Sequence, residues 1–122
     1  MVVAAKFTTY KEAVLGKRYD LSVAFLTPAQ MRKAMKYKKV ATPKTSNVLS
    51  FPLSKTSGEI LICKAAAKPY TVDYLFIHGL LHLKGLKHGA TMENKEDQTL
   101  KKFGLRKYAT DSDRHRRRLL PR

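Results

Sequence analysis

The sequence predicts a single domain of mixed α and β class. The chain has 122 residues, of which 43% are hydrophobic, which is enough for one core and too few for two domains of ordinary size. Three short apolar segments are typical of strands, and four longer segments carry the start and stop signals of helices. We therefore expect one domain at residues 1–109 and a basic, mobile tail at residues 110–122.

Capping residues place the first elements of the chain. The predicted helices are residues 10–15, 28–39, 72–83 and 92–103, and the predicted strands are residues 20–27, 47–51 and 58–63. Thr9 followed three residues later by Glu12 is a capping-box pattern, which opens the first helix. The segment DLSVAFLT then alternates like a strand. Thr27 and Pro28, an N-cap residue and a favoured first helical residue, open the second helix.

The second and third strands are predicted from the apolar segments NVLSF and GEILIC. The residues between them, PLSKTS, begin with Pro52 and are followed by Gly58. Proline and glycine favour turns, so we expect the chain to turn between these two positions.

The last two helices are bounded by the same kinds of signal. Thr71 is a favourable N-cap, and Asp73 lies in the first turn, where the helix dipole favours negative charge. Gly85 tolerates the left-handed conformation that ends a helix. Thr91 and Gly104 are expected to begin and end the fourth helix in the same way.

The charge of the chain favours a polyanionic partner. The 25 Lys and Arg residues exceed the 9 Asp and Glu residues and give a formal net charge of +16. Nucleic acid would relieve this self-repulsion by counterion release. An anionic membrane surface is the second candidate, but no run of about 18 apolar residues is present to cross a bilayer. Cys63 is the single cysteine, which fits a reducing interior, so we expect a cytoplasmic protein in which Cys63 is a core thiol.

Three of the four histidines lie close together, within the segment FIHGLLHLKGLKHG. His78 and His82 are four residues apart, so on a helix they project from one face and can share a metal ion. Gly85 permits a chain reversal, and His88 follows three residues later as a returning ligand. Three neutral imidazoles leave one position of a tetrahedral Zn²⁺ ion open, as in catalytic zinc sites. We therefore predict one zinc ion per chain, held by these three residues, although histidine also serves other divalent ions.

The same histidine spacing occurs in zinc peptidases of the HExxHxxGxxH type. In those enzymes a glutamate follows the first histidine and polarises the attacking water. Here that position is Gly79, so the general base of that mechanism is missing. A zinc peptidase is therefore the less favoured alternative.

Several motifs resemble those of the YbeY family of endoribonucleases. HGLLHLKGLKH is similar to the family signature HGxLHLxGxDH, SNVLSFP resembles the TDVLSFP strand, and GEILIC resembles the strand that follows it. The resemblance covers about residues 19–104. It implies an α+β fold, in which a small central mixed β-sheet packs against helices and a zincin-like helix and turn hold a zinc ion through His78, His82 and His88.

The resemblance also implies a function and a set of site residues. The family cleaves single-stranded RNA and acts in ribosomal RNA maturation and ribosome quality control, so ribosomal RNA and the small ribosomal subunit are the expected partners. Lys38 matches an arginine of the family and Glu59 a strand position that the family keeps acidic, and both are predicted catalytic residues. Glu59 would hold the second nitrogen of a histidine or a basic neighbour, or lie on the surface of an edge strand. The predicted RNA-binding residues are Lys38, Lys39, Lys44, Ser46, Asn47, Arg114, Arg116, Arg117 and Arg118. The four tail arginines are predicted from their charge, which would bind phosphates of any sequence, and a localisation signal is the alternative for this segment.

Two departures from the family pattern define an alternative function. The aspartate before the third histidine is Lys87 here, and the family's arginine is matched by Lys38, which lacks the planar fork of a guanidinium. The alternative is a ribosome-binding or RNA-binding protein with impaired catalysis that keeps a structural zinc.

Overall fold

The computed structural model describes residues 5–37 and 47–109. Its elements, in chain order, are α1 (Ala5–Leu15), β1 (Asp20–Phe25), α2 (Pro28–Tyr37), β2 (Val48–Ser54), β3 (Ser57–Ile62), a 3-10 turn (Lys64–Ala66), α3 (Val72–Leu83) and α4 (Ala90–Phe103). The predicted α+β class is confirmed.

The three strands form one mixed sheet in the order β1-β3-β2. Strand β3 is central, because it pairs in parallel with β1 and antiparallel with β2. Successive side chains of a strand point to opposite faces. Ile60 and Ile62 of β3 therefore join the larger core with α3, whereas Leu61 and Cys63 join a smaller core with α2. The small central mixed sheet packed against helices is thus confirmed.

Helix α3 lies at the centre of the larger core. Residues 74–81 of this helix are all buried, and the helix contacts β2, β3, α1 and α4. Aromatic contacts fix α1 against it, with the ring centroids of Phe7 and Phe76 4.6 Å apart. On the other face of the sheet, Met31 and Met35 of α2 cover Cys63, whose predicted place in the core is confirmed.

Helix α1 begins earlier than the sequence pattern predicts. Thr9 lies inside the helix, where its hydroxyl donates to the carbonyl of Ala5 at 3.2 Å, so the capping box of Thr9 and Glu12 is wrong. The added turn carries Phe7, which is buried against Phe25 and Phe76. Tertiary packing of this aromatic ring therefore decides where the helix starts.

The chain turns between Pro52 and Gly58, as predicted, but the strands extend further than the sequence pattern predicts. Pro52 and Gly58 both lie within paired strands, and the turn itself occupies only residues 55–56. Proline is tolerated because β2 is an edge strand of the described sheet. Glycine suits position 58 because a Cβ there would displace the ends of the Tyr19 and Leu83 side chains.

The predicted boundaries at Thr27, Thr71 and Gly104 are confirmed, whereas Thr91, like Thr9, does not begin a helix. Thr27 and Thr71 cap α2 and α3, since their hydroxyls accept the backbone N–H groups of Gln30 and Tyr74 at 3.1 Å. Gly104 ends α4 in the left-handed conformation. Thr91 does not cap α4, because the N-cap is Gly89, at a φ of 148°.

The described residues do not test the boundary between the predicted domain and the tail, because the structure describes nothing beyond residue 109. Within the described ranges, every helix is too short or too polar to cross a lipid bilayer.

Candidate metal centre

The N-terminal cap and a glycine position the first two histidines. Thr71 sets the start of α3, and His78 and His82 follow on one face of the helix. Gly79, beside His78, packs against Ile60 of β3, and a Cβ at this position would lie 3.1 Å from the Cδ1 atom of Ile60. The close approach of α3 to the sheet therefore fixes the depth at which the two imidazoles lie.

A glycine turn brings the third histidine back to the helix. Gly85 has a φ of 108°, a conformation that side chains disfavour. The N–H of Leu86 donates to the carbonyl of Leu81 at 3.1 Å, and the N–H of Gly85 donates to the carbonyl of His82 at 2.9 Å. These two bonds reverse the chain, as in a Schellman motif. His88 then lies beside the ends of the other two side chains.

The three side chains converge through the same ring atom. The Nε2 atom of His82 lies 3.1 Å from the Nε2 atoms of His78 and His88, and the latter two are 3.2 Å apart. A tetrahedral zinc ion with Zn–N bonds of 2.0–2.1 Å would separate its nitrogen ligands by roughly 3.3 Å. The predicted cluster therefore fits a metal site.

The partners of the Nδ1 atoms show which tautomer of the imidazoles is present. The Nδ1 atom of His82 lies 3.0 Å from the carbonyl oxygen of Leu86, which can only accept, so Nδ1 carries the proton. The Nδ1 atom of His78 donates in the same way to Glu96. In the neutral ring the Nε2 atoms of both histidines are then unprotonated. Lone pairs that face each other repel, and a shared cation removes this repulsion.

The electrostatics of the site keep His82 neutral at physiological pH. Burial, together with the neighbouring His78 and His88, lowers the pKa of His82 to about 4. A metal ligand must be unprotonated, so His82 is available for a cation without first losing a proton.

A buried carboxylate completes the arrangement, and it was missing from the sequence prediction. Glu96 of α4 is 3% exposed, and its Oε2 atom lies 2.5 Å from the Nδ1 atom of His78. Its Oε1 atom accepts a hydrogen bond from the hydroxyl of Tyr74 at 3.2 Å. Burial and the Glu96 charge together raise the pKa of Tyr74, so this hydroxyl stays protonated. Carboxylates in this position orient metal-bound histidines and increase their basicity.

A signal for Glu96 was present in the sequence. Met92, Glu96 and Leu100 are spaced four residues apart and form the buried face of α4. An acidic residue on the apolar face of a helix is costly unless it has a partner. Such a position is therefore a candidate for holding a buried histidine.

The histidines open onto a cleft of about 250 Å³. It is lined by Tyr70, Tyr74, His78, His88, Gly89, Met92, Glu93, Glu96 and Lys107. His78 is buried, whereas His88 is exposed, so the inward-facing nitrogens are accessible from solvent on one side. This arrangement suits a metal ion that must also contact a substrate.

The structure places two of the other predicted site residues. Glu59 lies on central strand β3 between Gly58 and Ile60, which both face α3, so its side chain starts from the opposite face of the sheet. The edge-strand interpretation is therefore wrong, and Glu96, not Glu59, holds the second nitrogen of His78. Asn47 is buried at 6% exposure, which does not favour direct contact with RNA.

The remaining predicted site residues lie outside the described residues. These are Lys38, Lys39, Lys44, Ser46, Arg114, Arg116, Arg117 and Arg118. Their roles stay predictions, as do the catalytic role of Glu59 and the RNA contact of Asn47.

Comparison with known proteins identifies the family of the chain. The sequence model of the family described as "Endoribonuclease YbeY" matches residues 2–108. The chain belongs to the YbeY family. Three curated relatives carry the same name, "Endoribonuclease YbeY". The relative from Caldanaerobacter subterraneus subsp. tengcongensis is 27% identical over 140 aligned positions, covering 88% of each chain.

The other two YbeY relatives are more similar over shorter stretches. The protein from Finegoldia magna is 32% identical over 73% of this chain and 72% of its own length. The protein from Rubrobacter xylanophilus is 35% identical over 63% of this chain, and the match spans 58% of that relative's length. No solved structure matches the chain significantly. Membership of the YbeY family supports an endoribonuclease role, and the histidine cluster supports a metal-dependent one.

Proposed function

We propose that this protein is a zinc-dependent endoribonuclease that cleaves single-stranded RNA during ribosomal RNA maturation. The observation that carries the proposal is the convergence of three Nε2 atoms, 3.1–3.2 Å apart, on an open cleft in a chain of the YbeY family. The cluster fits a tetrahedral ion with one position left for solvent or substrate.

The residues of the site have separate parts in this chemistry. A zinc ion held by His78, His82 and His88 supplies Lewis acidity that activates water or phosphate. Glu96 holds the proton of His78 on Nδ1, and the carbonyl of Leu86 does the same for His82. In the neutral rings both contacts place the proton on Nδ1, which leaves Nε2 free to bind the ion, and they hold the rings in a fixed orientation, so little reorganisation is needed during the reaction.

The proposed substrate and location follow from the charge of the chain and its family. A net charge of +16 supports binding to RNA phosphates, to which Lys38, Lys39, Lys44 and the arginine-rich tail would contribute. The small ribosomal subunit is the proposed partner, and ribosome quality control a proposed setting. The single cysteine supports a cytoplasmic location, since no disulfide stabilises the chain.

A second candidate function is an RNA-binding protein that keeps zinc for stability. The observation that favours it is Lys87, which replaces the aspartate of the family signature directly before His88. Peptidase activity is not favoured, because position 79 is a glycine and lacks the glutamate that such enzymes place after the first histidine.

The test is an endpoint assay on two substrates with the full-length, zinc-loaded chain. A fluorescent single-stranded RNA and a fluorescent peptide are each incubated with the protein, with and without a chelator. We expect chelator-sensitive cleavage of RNA alone, and mapping of the new ends identifies the cleaved bond. RNA binding without cleavage, together with one zinc per chain, would instead establish the second candidate.

A further inference from the structure

The cleft beside the histidines contains one permanent positive charge. Among the described residues that line it, Lys107 is the only lysine or arginine. The other ionisable side chains there are His78, His88, Glu93, Glu96 and the tyrosines Tyr70 and Tyr74. Glu96 is buried and already hydrogen-bonded to His78 and Tyr74. In the open part of the cleft, the charge of Lys107 therefore attracts an anion and the charge of Glu93 repels it.

Lys107 is held in place by its backbone. The N–H of Thr71 donates to the carbonyl of Lys107 at 2.9 Å, and the hydroxyl of Thr71 donates to the carbonyl of Arg106 at 2.6 Å. The N–H of Ala109 donates to the carbonyl of Pro69 at 2.9 Å. These bonds tie the segment that follows α4 to the start of α3, the helix that carries two of the three histidines.

The side chain of Lys107 lies over aromatic rings. Its ammonium is 5.1 Å from the ring centroid of Tyr74 and 5.6 Å from that of Tyr108. Tyr74 in turn packs against the imidazole of His78, with ring centroids 5.9 Å apart. The structure gives Lys107 no ion pair with a described carboxylate. The ammonium therefore lies over the ring that packs against His78, in the same cleft, where it is half-buried and available to an anion.

We propose that Lys107 binds a phosphate of the RNA beside the metal centre. This inference rests on the function proposed above. The cleft volume of 250 Å³ is below the roughly 300–1,000 Å³ of small-ligand pockets, so it fits one phosphodiester and part of its sugars. An ammonium in a partly apolar cleft attracts a phosphate more strongly than one on the open surface. Glu93 repels the same phosphate, so the two side chains act in opposite directions.

The test measures binding separately from cleavage. A short single-stranded RNA with 2'-O-methyl groups, which block attack by the ribose hydroxyl, is titrated with the zinc-loaded, full-length chain. Fluorescence anisotropy gives Kd at several salt concentrations, and a gel of the same samples checks that the strand stays intact. We expect Lys107→Gln to weaken binding roughly tenfold, as for loss of one charged hydrogen bond. The slope of log Kd against log salt should fall by about 0.7, the value for one phosphate contact on a single strand.

Three further variants assign the effect to charge at this position. Lys33→Gln removes an exposed lysine of α2, which packs on the other face of the sheet, and should change Kd less than twofold. Lys107→Arg keeps the charge and should bind within about threefold of the parent chain. Glu93→Gln removes the repulsion and should tighten binding. Zinc content should be the same in all variants.

The outcomes separate this inference from the function on which it rests. If the parent chain cleaves RNA but Lys107→Gln binds with unchanged Kd and salt slope, the inference is overturned and the proposed function stands. Equal weakening by Lys107→Gln and Lys33→Gln, or by Lys107→Gln and Lys107→Arg, also overturns it, because the effect would be general charge or packing. A parent chain that neither binds nor cleaves RNA refutes the proposed function, and the inference falls with it.

Discussion

The buried carboxylate of Glu96 leads to a prediction whose size can be worked out from its contacts. Glu96→Gln keeps the shape of the side chain, and the amide oxygen can still accept the proton of His78 Nδ1. The amide nitrogen can donate to the hydroxyl of Tyr74, so the contact with His78 keeps its direction and loses the negative charge, while the contact with Tyr74 reverses its direction. The variant therefore isolates what the charge contributes to the metal ligand.

A hydrogen bond to a charged group contributes about 1.5–3 kcal/mol and a neutral one about 0.5–1.5 kcal/mol. The difference for the His78 contact is about 1.4 kcal/mol, which corresponds to a tenfold weaker affinity for zinc. This value lies at the lower end of the roughly 10–100-fold losses seen when partners of metal-bound histidines are removed.

The assay is a competition for Zn²⁺ between the metal-free chain and a chromophoric chelator at pH 7.5. Asp97→Asn is the matched control, because it removes an exposed carboxylate from the next position of α4. We expect a tenfold change for Glu96→Gln and less than a twofold change for the control. Equal affinity of Glu96→Gln and the parent chain, with both folded by circular dichroism, would refute the reasoning.

Four further predictions concern the metal ligands, the packing of α3 and the tail. His82→Ala should abolish stoichiometric zinc retention, measured by elemental analysis. In the metal-free chain the His82 ring should titrate in NMR spectra near pH 4. In the unfolded chain the same ring takes up its proton near pH 6.5, so the free energy of unfolding should fall as the pH drops from about 6.5 towards 4. Gly79→Ala crowds Ile60, so Ile60→Val, which alone costs about 1 kcal/mol, should cost less in the Gly79→Ala chain when measured by denaturant unfolding. Deleting residues 114–118 should weaken RNA binding and flatten its salt dependence without changing zinc content.

Each of these predictions has an outcome that contradicts it. A content of one zinc per chain in the His82→Ala variant would show that His82 is not a metal ligand. A His82 midpoint at or above pH 6.5 in the metal-free chain would show that burial does not disfavour its charged form. Equal costs of Ile60→Val in both backgrounds would mean that α3 and β3 are not in tight contact at Gly79. An unchanged salt slope after the deletion would exclude a phosphate role for the tail.

The histidine cluster could be predicted because its signals are local. The separation of His78 and His82 by four residues and the glycine at position 85 each determine geometry within one or two turns of chain. The caps at Thr27 and Thr71 were predictable for the same reason. Such features depend on backbone conformation and need no knowledge of distant partners.

Features that depend on distant partners were missed or misplaced. Glu96 is separated from His78 by 18 residues, and no local rule indicates that the two side chains meet. Gly58 was interpreted as a turn residue, but it lies in β3, where the ends of the Tyr19 and Leu83 side chains occupy the space that a Cβ would take. The turn that carries Phe7 is helical because Phe7 packs against Phe76 of α3. Helix propensity alone does not indicate this contact.

The contact between Glu96 and His78 joins two helices as well as two side chains. Helix α3 contributes the ligand, and α4 contributes the group that steadies it. The binding of a cation to His78 is therefore coupled to the packing of α4 against α3. A cation that binds only the folded chain raises its stability by mass action. A low concentration of the metal would consequently lower the stability of the fold as well as the proposed activity.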